Sequence, residues 1–114
     1  MNFPKAIHLN AKGNQILDWG NIENPIGDKI SKVSGYLLNK SENYEMGYWQ
    51  CSEGEWHCHV AKSEFCHFTE GECIYTSENN EVINIYPNSI AYFPKNWKGT
   101  CKVIKKIKKF YCIF

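Results

Sequence analysis

The chain has 114 residues, 13 lysines or arginines against 12 acidic residues, 43% apolar and 15% aromatic content. That length suits one domain, the apolar fraction is enough for a core, and the near balance of charge offers no field for steering nucleic acid or an anionic membrane. Every basic residue is a lysine, which excludes mechanisms that depend on a bidentate guanidinium fork.

The opening segment from Met1 to Gly13 lacks the apolar stretch of roughly 7–15 residues that a secretory signal needs. No later run approaches the roughly 20 apolar residues of a membrane span. A cytoplasmic protein with neither a membrane nor a nucleic-acid partner is therefore expected. In a reducing compartment the cysteines Cys51, Cys58, Cys66, Cys73, Cys101 and Cys112 should be free and mostly buried, and the absence of a CxxC pair argues against a structural zinc knuckle.

Residues 1–30 mix Pro4, Gly13, Gly20, Pro25 and Gly27 with asparagines. This reads as an irregular arm anchored by Trp19 and packed on a domain of residues 31–114. Beyond it, short β-branched and aromatic runs alternate with polar punctuation and predict strands at 32–38, 45–51, 55–60, 64–69, 72–77, 81–86, 90–93 and 100–104. Such spacing, with no helix between, points to an antiparallel sandwich or barrel. The run Ser77-Glu78-Asn79-Asn80 predicts a hairpin turn, because asparagine tolerates the left-handed region.

From Lys102 to Phe114 two periods compete. Val103, Ile104, Ile107, Phe110, Tyr111 and Phe114 fit a helical stripe, whereas the residue types suit a strand; periodicity by itself favours the helix. The lysines 102, 105, 106, 108 and 109 among them read as a solvated face or as protection for an edge strand rather than as a nucleic-acid patch.

The arrangement richest in chemistry is His57-Cys58-His59 followed by Glu64. Alternate residues of a strand share a face, so two imidazoles and a carboxylate could face one ion. Four residues separate His59 from Glu64 and six more separate Glu64 from Gly71. This order resembles the first motif of the cupins, and Asn88, Pro94, Asn96 and Gly99 fall where the second motif carries glycine, proline, glycine and histidine. The fourth ligand of a full cupin metal set is thus missing.

The chain more closely resembles the cupin branch named after the cupin domain of (S)-ureidoglycine aminohydrolase. The shared elements are Trp49-x-Cys51-x-x-Gly54-x-Trp56, Glu64-Phe65-Cys66, Glu70-Gly71, Phe93-Pro94, Gly99-Thr100 and Lys108-Lys109-x-Tyr111. Cys101 stands where that branch has tryptophan. The resemblance implies an all-β fold, a cupin-type antiparallel β-barrel (double-stranded β-helix, or jelly roll), with the C-terminal segment in a strand, and it implies a homodimer.

For function it implies a small-molecule-binding protein. Its metal ligands would be His57, His59 and Glu64, its catalytic group Glu64, and its pocket Trp49, Cys66, Tyr92, Trp97, Cys101, Lys109 and Tyr111. The metal would be one divalent transition ion, Mn, Fe, Ni, Cu or Zn, with open positions for substrate. A metal-free ligand-binding or regulatory module is the alternative. Trp56, Cys58 and Val60 form an apolar face on the same strand, and burying that face would send both histidines to solvent.

Overall fold

The computed structural model describes residues 4–9 and 15–114; the arm's residues 1–3 and 10–14, Gly13 included, lie outside the described residues. Eight strands run in chain order: β1 (Leu17–Asn21), β2 (Lys32–Lys40), β3 (Glu45–Cys51), β4 (Gly54–His59), β5 (Glu64–Ser77), β6 (Val82–Ile85), β7 (Ile90–Phe93) and β8 (Lys98–Ile113). No helix of the described residues is long and apolar enough to cross a membrane.

All pairings are antiparallel, and two long strands organise them. The C-terminal half of β8 pairs with β3 and its N-terminal half pairs with β4, while its other edge runs along β5. Strand β5 likewise gives its first half to β7 and its second half to β6. The result is a two-layered barrel of the jelly-roll type, as the resemblance implied: β1-β2-β3-β8-β5-β7 in one layer and β4-β8-β5-β6 in the other. A strand shared by both layers has to bend, and the register of β5 against β8 shifts between Phe68 and Cys73. Gly71 sits at this bend with φ +88°, and a Cβ there would lie 2.1 Å from the Lys106 carbonyl oxygen.

Strand β8 replaces the helix favoured by periodicity. Its buried positions are Cys101, Val103, Ile107, Lys109 and Tyr111, a two-residue alternation interrupted where the strand passes from one layer to the other. The alternation was obscured because one inward residue is a lysine, while Ile104 and Phe110 face out. Of the outward lysines, Lys105 pairs with Glu72 at 3.1 Å and Lys108 with Glu70 at 3.1 Å, so much of this stripe serves the β5–β8 seam. The predicted segments 64–69 and 72–77 are one strand joined through the Gly71 bend.

The arm contributes a strand that the sequence reading did not contain. Strand β1 extends the first layer through β2, and the following residues cross to the second layer, where Pro25 bridges Trp56 and His57 N–H donates to the Asn24 carbonyl. The hairpin after β5 forms as expected. Asn80 has φ 65°, Ser77 N–H donates to Glu81 O at 2.8 Å, and the Ser77 hydroxyl accepts from the amides of Asn79 and Glu81. Asn88 and Asn96, standing where the cupin motif has glycine, adopt φ 72° and 71°; asparagine is the side chain that tolerates this region best.

Between the layers lie Phe68, Ile107, Cys51, Cys66, Cys73 and Cys101, all essentially solvent-free. All six cysteines are free thiols, and the buried ones act as small apolar residues. Phe93 packs against both Tyr75 and Trp97, with centroids 4.7 and 5.2 Å apart.

The bend predicts a measurable cost. Gly71→Ala should lower the urea midpoint by the equivalent of at least about 1–2 kcal/mol, from the left-handed backbone alone, whereas Asn96→Gly should leave it near wild type. A neutral Gly71→Ala would contradict the tight contact with Lys106.

Candidate functional site

The open end of the barrel holds a cavity of about 560 Å³, walled among others by Trp19, Trp49, Trp56, Cys58, Tyr75 and Phe93, with Glu45, Glu64, Lys109 and Tyr111 as its inner polar groups. Register places these groups together. Trp49 and Phe68 flank Lys109 on neighbouring strands, Tyr111 lies between Gly47 and Cys66, and Glu64 is opposite Phe93 and Ile113.

Lys109 is 7% exposed, so its charge needs a partner inside the barrel. Its Nζ donates to Glu64 Oε2 at 2.8 Å, lies 3.6 Å from Cys66 Sγ, and stands 4.6 Å from the centre of the Trp49 ring and 5.6 Å from that of Phe68. Cys66 Sγ also donates to Glu64 Oε2, at 3.0 Å. Burial alone would lift the Glu64 carboxyl, but the Lys109 ammonium and these two donors outweigh it and hold Glu64 below the ordinary carboxylate value. Burial alone would likewise depress Lys109; the Glu64 carboxylate reverses this and holds the ammonium well above its ordinary value. Both partners are therefore charged at neutral pH.

A second carboxylate stands nearer the mouth. Tyr111 Oη donates to Glu45 Oε2 at 2.7 Å, while Glu45 Oε1 is 3.9 Å from the exposed Lys40 ammonium. Burial, reinforced by this acceptor, pushes the Tyr111 hydroxyl above its ordinary value, so it stays a donor. Gly47 makes room for the contact, since a Cβ there would come within 3.1 Å of the Tyr111 hydroxyl. The thiols are not poised for nucleophilic work: burial pushes Cys66 and Cys51 up to about 12 and Cys58 to about 11, leaving negligible thiolate at neutral pH.

The grouping of His57 and His59 with Glu64 around a metal is not what the structure builds. Trp56 and Cys58 take the inward positions of β4 and both histidines are exposed, with only His59 reaching the cavity rim. The apolar face decided the orientation, because burying Trp56 gains far more than burying an imidazole. His8, in the arm, is exposed, and His67 is on the face of β5 opposite Glu64. Glu64 meanwhile has its Oε2 occupied by the Lys109 ammonium and the Cys66 thiol. Among the described residues, no group of three or more His, Cys, Asp or Glu is placed to hold a metal ion. The donors present do not fit a cupin metal.

Of the other expected pocket residues, Trp49, Lys109 and Tyr111 line the cavity. Cys66 lies beneath it, bonded to Glu64. Cys101 and Trp97 belong to the packing beneath the cavity, Trp97 against Tyr75 and Phe93. Tyr92 is 59% exposed and pairs with Phe65 on the outer face, one position out of phase with the inward Phe93. Glu45 was missed, although strand parity with Gly47, Trp49 and Cys51 would have found it.

A family model for the EutQ-like cupin domain matches residues 38–111. The chain belongs to the EutQ-like cupin family. Solved structures similar to this cupin include the EutQ protein of Clostridium difficile, 14% identical with a TM-score of 0.66 over 74% of this chain and 68% of that one. A DUF861-family protein of unknown function from Pseudomonas syringae pv. tomato is 12% identical with a TM-score of 0.78; the match covers 87% of this chain but only 44% of that one. A DUF861-family protein from Thermotoga maritima is 25% identical with a TM-score of 0.58, over 59% and 76%. At such identities the likeness concerns the fold. No curated protein matches the sequence.

The ion pair generates two predictions. Lys109→Met, which strands a buried carboxylate, should cost about 3–5 kcal/mol in urea unfolding, and Lys109→Met/Glu64→Leu should recover a large part of that loss. An additive double variant would contradict the pairing. Because Glu64 titrates below its ordinary value of 4.5 when folded, its contribution is complete above that pH and is lost as pH falls through the folded value. Lys109, raised above 10.5, contributes fully below that pH and loses its share only as pH rises further. Wild type should thus lose more stability than the double variant between pH 6 and strong acid; parallel profiles would count against the pair.

Proposed function

We propose that this cupin is a metal-free small-molecule-binding protein whose ligand enters the aromatic cavity and meets the Glu64–Lys109 pair at its inner wall. The observation that carries this reading is the 2.8 Å contact of a buried ammonium with Glu64. A cavity of about 560 Å³ lies within the usual range for small-ligand sites, and aromatic walls with a few convergent polar groups suit an organic ligand. The elements shared with the (S)-ureidoglycine aminohydrolase cupin domain, among them Glu64-Phe65-Cys66 and Lys108-Lys109-x-Tyr111, serve here as the framework of the pocket. Release of ammonia by that enzyme's reaction is not part of the proposal. A cytoplasmic location goes with it, as does a core domain of residues 31–114.

The same reading includes a homodimer. Outward positions of the first layer carry Ile90, Tyr92, Phe65 and Phe110, exposed at 69%, 59%, 44% and 46%, on the adjacent strands β7, β5 and β8. This face, largely apolar with His67 in register between Ile90 and Phe110, suits a second copy of itself about a two-fold axis. Light scattering at micromolar concentration should give twice the chain mass, and Phe65→Glu should give the monomer; a monomeric wild type would refute the dimer.

The metal-free reading is tested by elemental analysis of protein purified without chelator. Mn, Fe, Ni, Cu and Zn should be far below one per chain and unchanged in His57→Ala/His59→Ala. One equivalent of metal in wild type, lost in that variant, would restore the metallocupin reading.

A further inference from the structure

The inner wall of the cavity is unequal in its hydrogen-bonding capacity. Every strong donor there is already committed. The Lys109 ammonium is taken by Glu64 Oε2 at 2.8 Å and covered by the Trp49 face, and the Tyr111 hydroxyl is taken by Glu45 Oε2 at 2.7 Å. The acceptors are not exhausted. Glu64 Oε2 receives both Lys109 and Cys66, but Glu64 Oε1 receives no donor among the described residues, and the side chain, 14% exposed, lines the cavity. Glu45 Oε1 has only the distant, exposed Lys40 at 3.9 Å. At the inner wall the Glu64 and Lys109 charges balance, and Glu45, nearer the mouth, adds a second carboxylate beside the exposed Lys40. The rim lysines Lys40 and Lys62 are exposed, where solvent and salt screen them.

We propose that the cavity selects a small organic cation, one that presents an ammonium, amidinium or guanidinium group to Glu64 Oε1 and Glu45 with its apolar body against the tryptophans. An anion reaching the inner wall finds Lys109 and Tyr111 already engaged and meets two carboxylates, so it forfeits hydration with little replacement there. A cation gains charge-assisted hydrogen bonds and the aromatic wall to which Trp56 adds its ring, edge-to-face with Trp49 at 6.3 Å. This selection rests on the small-molecule-binding reading and names the class of ligand for that site.

Benzamidinium, benzamide and benzoate test it, because they share a planar outline and differ in charge. Calorimetric titration should rank benzamidinium first, at least about tenfold tighter than benzoate, the scale of one hydrogen bond to a charged group. Glu64→Gln should cancel that preference and raise the affinity for benzoate, since it frees the Lys109 ammonium. Glu45→Gln leaves the buried pair intact and decides the matter if Glu64→Gln does not fold: benzamidinium should weaken severalfold while circular dichroism stays native. Benzoate or benzamide binding as tightly as benzamidinium would overturn the charge selection and leave the binding reading standing. If none of the three binds, both fall. A preference for benzamidinium unmoved by Glu45→Gln and Glu64→Gln would also overturn the assignment to these carboxylates.

Discussion

Lys109 brings a full charge into the middle of the barrel, and the arrangement of strands around it follows from the need to meet that charge. Its place in β8 puts it between Trp49 on β3 and Phe68 on β5, two rings that accept a cation on their faces and exclude water from it. The carboxylate arrives from the first residue of β5, and the Cys66 thiol completes the acceptor side. Each member suits the others and none is stable there alone, since an isolated buried ion carries a desolvation penalty of several kcal/mol. The barrel therefore has a polar wall whose geometry is fixed by the register of three strands.

That wall bears on what the cupin framework is used for in this chain. The glutamate of the first motif is retained, but β4 turns its histidines to solvent because Trp56 and Cys58 hold the inward positions, and the second-motif histidine position is Gly99. Gly99 also admits the close approach of β5, since a Cβ there would lie 2.1 Å from the Thr76 carbonyl oxygen. An ammonium tethered to β8 supplies the positive charge beside the remaining carboxylate. It is part of the chain and cannot exchange, so the charge beside Glu64 is set at folding.

Much of this was legible in the residues. The strand boundaries from β2 to β7 follow alternation and turn chemistry, and the Asn80 turn and the glycine-like roles of Asn88 and Asn96 follow from asparagine's tolerance of positive φ. The orientation of β4 was readable too, once the apolar weight of Trp56 was set against the attraction of an HxH pattern. What resisted was β8. Its inward lysine breaks the polar-out alternation, and the shift between layers after Val103 breaks the phase, so a helical stripe fitted the letters better than a strand did. The same disguise hid the site, because a buried ion pair across sequence-distant strands leaves no local signal at either partner. Strand β1 was hidden for another reason: its five residues are all exposed, so it has no buried face to give it a period.

The central claim is that Lys109 is a buried, protonated ammonium bonded to Glu64, and nitrogen-detected NMR of the lysine side chains tests it most directly. The account predicts one slowly exchanging Nζ resonance, assigned by its loss in Lys109→Met, that remains an ammonium past the ordinary lysine value of 10.5 and vanishes in Glu64→Gln. A Lys109 that exchanges as fast as the surface lysines, or that has lost its proton by neutral pH, would contradict it.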